Sequence, residues 1–133
     1  MFSLIFDYER ILRLFNDAPN PHIFKIFFYL VVNQPQSDIR GFKINKFQLQ
    51  FDLKLSRSVF FDSLHWLKDN LFIQELKIIE ESDFMVNPYI VKSECDQDER
   101  IKEWNRRCNL DLSREVRLHK ERRRREAKKA AQQ

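Results

Sequence analysis

An α+β fold, mainly helical with one small β-hairpin, is predicted by three features of the chain. Apolar residues recur at helical spacing as far as Leu67, and a strand-period alternation then covers Phe72–Ile79. Phenylalanine occurs 13 times against a single glycine, which argues for helices around a bulky core rather than a sheet with many tight turns. The 133 residues suffice for one domain and an extension.

Met1 to Asn16 reads as a first helix, with Leu4, Tyr8, Ile11, Leu12 and Phe15 inward and Asp7, Glu9, Arg10 and Arg13 outward. Ala18-Pro19-Asn20-Pro21 breaks it, because each proline disfavours helix in the residue before it, and Asn20 can cap the next helix. His22 to Asn33 is apolar nearly all round, so it should be covered on two sides. Gly41-Phe42-Lys43-Ile44 suits a brief edge strand.

The organising stretch is Ile44 to Ile73. Asn45 is expected to cap a helix with Phe47, Leu49 and Leu53 inward, and Ser56 a second helix with Phe60, Leu64 and Leu67 inward. The link Asp52-Leu53-Lys54-Leu55 has the length of a helix-turn-helix connection. Asp69-Asn70 stops the second helix, with Asn70 suited to a left-handed closing residue. Phe72–Ile79 and Phe84-Met85-Val86 form the hairpin, with Glu80-Glu81-Ser82-Asp83 as its polar tip.

Helix, helix, short strand, helix, turn, helix, hairpin is the order of a winged helix-turn-helix. The expected division is an N-terminal helix and linker at 1–20, the winged-helix domain at 21–92, and a charged, basic C-terminal helical extension at 93–133. Within that extension Glu94–Glu99 reads as an acidic, helix-poor link. A partly docked helix to about His119 comes next, and then a helix polar all round.

Residues 1–93 carry 11 basic and 11 acidic side chains, whereas 94–133 carry 13 and 9, so the net charge of +4 belongs to the extension. A basic arm of this kind suits a polyanion such as nucleic acid, a protein, or plain solvent exposure. Cys95 and Cys108 make no disulfide framework or CxxC pair, and with His119 they are too few and too loosely spaced for a zinc site. Asp7, Glu9 and Arg10 interrupt the first apolar stretch, and the most apolar run, Ile23–Val32, is about half a membrane span, so a cytoplasmic protein is expected. No metal, cofactor or membrane partner is expected. Nor does the sequence hold a tyrosine nicking motif with paired histidines, an acidic metal triad or a nucleotide loop, so no enzyme is expected.

Leu55-Ser56-Arg57-Ser58 through Leu64 and Leu67 to Phe72-Ile73 resembles bacterial winged-helix DNA-binding domains. The return strand Phe84-Met85-Val86-Asn87-Pro88-Tyr89-Ile90 is similar to that of small plasmid and phage replication proteins, the RepL-type initiators in particular. The likeness covers about Pro21 to Val91. It implies a plasmid or phage replication initiation or copy-control protein that binds its origin in double-stranded DNA alongside host or phage replication proteins. Two positions depart from the pattern: Lys54 and Leu71 stand where these families often place glycine, which implies unusual local turns.

Arg57, one residue after the cap, is the first candidate for a base contact, since arginine pairs bidentately with guanine. The helix N-terminus is otherwise a poor place for a cation. Ser56 and Ser58 can donate to phosphates. Phe61, Asp62 and His65 share the outer face in this reading, with Phe61 suited to a thymine methyl and Asp62 to a cytosine amino group. Lys43, Lys46, Lys54 and Lys77 are candidate backbone contacts. Arg122, Arg123, Arg124, Arg125, Lys128 and Lys129 would add salt-dependent affinity with little sequence information. A small transcriptional regulator would use the same contacts, while a protein-docking winged helix would use the Phe61 face instead. Clustering of Lys43, Lys46, Lys54 and Arg57 on one face would favour DNA, and their dispersal would count against it. The first helix either covers the core within one chain or pairs two chains into a homodimer.

Overall fold

Asp7 opens the first helix: its carboxylate accepts from the Arg10 amide, and α1 runs Tyr8–Asp17. A two-residue strand, β1 (Ile5–Phe6), precedes it and pairs antiparallel with β5 (Val91–Lys92). Among the described residues the helix expected over Met1 to Asn16 starts at Tyr8, and Met1 to Leu4 of that expectation lie outside them. The computed structural model describes residues 5–35, 41–92, 97–110 and 112–132.

The inward face of α1 also differs from expectation. Leu14 is fully buried and Ile11 half-buried, while Tyr8, Leu12 and Phe15 are exposed. The core-facing line runs through Ile11, Leu14 and Ala18, beside the stripe that spacing alone selects. Asn20 then ties the chain down. It accepts from the His22 amide at 2.9 Å and its amide group donates to the Ser63 hydroxyl at 3.2 Å, joining the start of α2 (His22–Val32) to the middle of α4 (Arg57–Asp69). Ile23, Ile26, Phe27 and Leu30 are wholly buried, which explains why α2 is apolar nearly all round.

β2 (Phe42–Ile44) leads into α3 (Lys46–Asp52), whose cap Asn45 accepts from the Phe47 and Gln48 amides and donates to the Glu80 carbonyl in the hairpin turn. Leu49 and Leu53 point inward as expected. Phe47 does not: it is 64% exposed and Phe51 77%, because the short helix buries only the Leu49–Leu53 line. The link to α4 turns at Lys54, which adopts φ 54°. Ser56 accepts from the Val59 amide, and Phe60, Leu64 and Leu67 are buried.

The end of α4 corrects one expectation. Asn70 keeps φ −93°, and Leu71, at φ 60°, is the left-handed residue. The Phe72 amide reaches back to the Leu67 carbonyl and the Leu71 amide to that of Lys68, the Schellman arrangement, with Trp66 stacked on Phe72 at 5.6 Å. Lys54 and Leu71 therefore hold the backbone glycine would hold, at a conformational cost.

β3 (Ile73–Ile78) and β4 (Glu81–Val86) are joined by Ile79-Glu80, so the turn is two residues long and the return strand starts earlier than expected. With β2 they make an antiparallel sheet of order β2-β4-β3. Ser82 and Asp83, expected at a polar tip, are buried in β4 because partners elsewhere satisfy them.

The register puts Phe42, Phe84 and Glu75 on one sheet face, towards the helical core, and Lys43, Asp83 and Leu76 on the other. That second face lies under α5 (Gln97–Leu110); of the link expected to be helix-poor, Gln97 to Glu99 are helical and Glu94 to Asp96 lie outside the described residues. Trp104 and Arg107 of α5 are buried; Arg107 Nη1 donates to Asp83 Oδ1 at 2.8 Å, and Gln74 Nε2 donates to the Trp104 carbonyl at 3.1 Å. Gln34 bridges the end of β4, donating to the Phe84 carbonyl and accepting from the Val86 amide. α6 (Leu112–Ala131) is a separate helix, and residues 119–132 are exposed. No described helix is long and apolar enough to cross a membrane.

Candidate nucleic-acid interface

The first turn of α4 presents Ser56, Arg57 and Ser58, all exposed. The Ser56 hydroxyl is used in capping, leaving Arg57 and Ser58 at the positive end of the helix dipole. No acidic side chain pairs with Arg57 in the ion pairs among the described residues. Its guanidinium carbon lies 5.9 Å from the centre of the Phe61 ring, and Lys46 Nζ lies 5.8 Å from the same centre. Two cations thus share one ring, an attraction that fixes both without neutralising either.

Phe61 is not the free outer residue that spacing suggested. It is half-buried, set edge-on against Phe60 at 5.2 Å and packed on the core. With Arg57 and Ser58 it lines a shallow, open depression. The exposed line of α4 instead runs Ser58, Asp62, His65 at i, i+4 and i+7.

Behind this face lies a cluster that sequence reading missed. Glu75 of β3 takes Lys46 Nζ at 3.0 Å on one carboxylate oxygen and Lys68 Nζ at 2.8 Å on the other, with the Ser82 hydroxyl also donating to it. Burial alone would raise the Glu75 carboxyl, but hydrogen bonds from Lys68, Ser82 and Lys46, with the Lys68 charge, hold it down at about 2. One carboxylate thereby fastens the first turn of α3 and the last turn of α4 to the hairpin. The available signal was a glutamate inside an apolar alternating strand, a position that requires a cationic partner.

The remaining candidates are spread. Lys46 contacts Glu75 and keeps 26% side-chain exposure, so it is partly committed to structure. Lys54 is exposed in the turn before α4, and Lys77 is exposed on β3, on the same sheet face as Glu75. Lys43 is exposed on the opposite sheet face. Of the four cations expected to cluster, Lys46 and Arg57 meet at Phe61, Lys54 precedes Arg57 in the turn, and Lys43 lies apart. Arg122, Arg123, Arg124, Arg125, Lys128 and Lys129 are exposed along α6 with Glu121 and Glu126 among them.

Cys108 is half-buried and Cys95 lies outside the described residues; among the described residues no three His, Cys, Asp or Glu side chains are grouped to hold a metal ion. Comparison with protein-family models, with curated proteins and with solved structures finds no match to this chain.

Proposed function

We propose that residues 21–92 act as a winged helix-turn-helix that binds double-stranded DNA, with α4 in the major groove and the β3–β4 hairpin beside it. Origin binding in replication initiation or copy control is the biological role we favour, with the chemistry left to other proteins. The observation that carries the reading is the N-terminal turn of α4. An exposed arginine with no acidic partner among the described residues sits there between two serines, at the positive helix end, on two short helices joined by a turn with a hairpin attached. The order β2-β4-β3, with β2 leading straight into α3, also supports it.

In this account Arg57 reads a guanine, Asp62 accepts from a cytosine amino group, and Lys54, Lys77 and α6 meet phosphates. The test is selection of bound fragments from random genomic DNA by the intact chain, by a chain ending at Leu110, and by Arg57→Ala, at two salt concentrations. One motif enriched by the first two and lost with Arg57→Ala supports base reading, and its genomic position separates origin from promoter. A smaller salt slope on removing α6 would assign that helix to the DNA backbone.

A protein-docking role is the second reading, and the exposed pair Phe47 and Phe51 at i, i+4 on α3 favours it. Binding of DNA without any motif, together with specific capture of a partner lost in Phe51→Ser, would support it over the first.

A further inference from the structure

With Ile11 and Leu14 turned inward, α1 displays Tyr8, Leu12 and Phe15 at i, i+4 and i+7, exposed by 73%, 40% and 56%. Phe15 stacks on Phe24 of α2 with ring centres 4.9 Å apart, which carries the apolar surface across to a second helix. There Phe24 is half-buried and Val32 is 63% exposed. Tyr8, Leu12, Phe15 and Val32 alone offer roughly 500 Å² per chain, and the half-buried Phe24 ring adds to it, against the ~800 Å² per partner of a standard interface. A face of this size on one side of a small domain calls for an occupant.

The flank of the stripe identifies one. Glu9 and Arg13, at i, i+4, are both exposed, and neither has an ion-pair partner among the described residues. We propose that this face pairs with the same face of a second copy of the chain, α1 antiparallel to α1, to give a two-fold homodimer. A two-fold axis passing near residues 11 and 12 sets Tyr8 opposite Phe15 of the second copy and the two Leu12 side chains against each other. To within about one residue of register the same axis brings Glu9 near Arg13 of the second copy; the Tyr8–Phe15 and Glu9–Arg13 pairs each occur twice and the Leu12 pair once. Apolar partners in general could cover the stripe; the charge match that this axis creates on its flank favours a second copy among them. The balance of 11 basic and 11 acidic residues over 1–93 leaves no net repulsion between two such domains.

The dimer does not depend on what α4 binds. None of Ser56, Arg57 or Ser58 belongs to the paired face, so dimerisation would present two copies of that turn about a two-fold axis. On the DNA reading, the site would be an inverted repeat.

Sedimentation equilibrium of the full chain from about 1 to about 100 µM tests the proposal. The mass should approach twice 16.3 kDa. Leu12→Glu, Tyr8→Glu and Glu9→Arg should each raise the dimer dissociation constant at least ~10-fold, while Glu9→Arg combined with Arg13→Glu should restore it to within ~3-fold of the wild type. Circular dichroism and urea midpoints check that each variant is folded; Tyr8, being the most exposed of the three, serves if Leu12→Glu unfolds. A wild type that stays at 16.3 kDa, a dimer indifferent to the glutamates, or a charge swap that fails to restore pairing would overturn the proposal.

Discussion

Replacing Glu75 by glutamine isolates the carboxylate that fastens α3 and α4 to the hairpin. The amide keeps the shape and can still accept from Ser82, but it removes the charge that Lys46 and Lys68 share. In the folded chain the carboxyl is depressed from 4.5 to about 2. At about 1.4 kcal/mol per unit, the interactions that favour the ionised form are worth about 3 kcal/mol at neutral pH. The side chain is only 5% exposed, so solvent screening takes little of this away. The sign is set by the lowered pKa. Stability from this group is fully present above about pH 4.5 and is lost as pH falls through about 2. Urea unfolding of wild type and Glu75→Gln should therefore differ by about 3 kcal/mol at pH 7, about 1.4 at pH 3 and almost nothing below the folded pKa. In a thermal scan at pH 7 the variant should melt about 10 °C lower. Glu103, held at about 2 first by its hydrogen bond from Arg106, is common to both proteins and cancels in the difference. A difference below about 0.5 kcal/mol at pH 7, or one that does not shrink on acidification, would refute the reasoning.

The backbone and the docked helix set three further outcomes. Lys54→Gly and Ile79→Gly should each stabilise the chain by up to about 1 kcal/mol in urea, because φ values of 54° and 51° are strained for side-chain-bearing residues and both side chains are exposed. Gly41→Ala should lower the unfolding free energy measured in urea by about 2 kcal/mol or more, since a Cβ there would meet the Asp83 carboxylate and the Phe84 carbonyl. Trp104→Ala should cost about 3–5 kcal/mol and expose the lower face of the sheet, and a chain cut before Gln97 should be unstable where one cut after Leu110 is not.

The sequence was most readable where a local rule acts by itself. Asn45 and Ser56 cap as their chemistry requires, the Phe60–Leu64–Leu67 face is buried, and the short strand at Phe42–Ile44 joins the sheet. It was least readable where tertiary partners decide. Spacing offers two apolar lines on α1, and only the packing of the whole core selects Ile11 and Leu14 over Tyr8, Leu12 and Phe15. Ser82 and Asp83 look like turn residues until Glu75 and Arg107 supply their partners from β3 and α5. Arg100, Arg107 and Trp104 sit in a stretch whose charge suggests solvent, yet the sheet beneath them needs a cover. Lys54 and Leu71 show a further limit: composition marks left-handed positions only when glycine or asparagine fills them. At the candidate interface the exposure of Arg57 and Ser58 in the first turn of α4 followed from the Ser56 cap, whereas the half-burial of Phe61 depended on the Phe60 ring and the core behind it.

Base reading by Arg57 is decided by enrichment sequencing of genomic fragments bound by the intact chain and by Arg57→Ala, side by side. If Arg57 reads a base, one motif containing a guanine is enriched, and its discrimination falls by about 1–3 kcal/mol in the variant while general DNA affinity changes little. An identical motif from both proteins, or no motif from either, would contradict it.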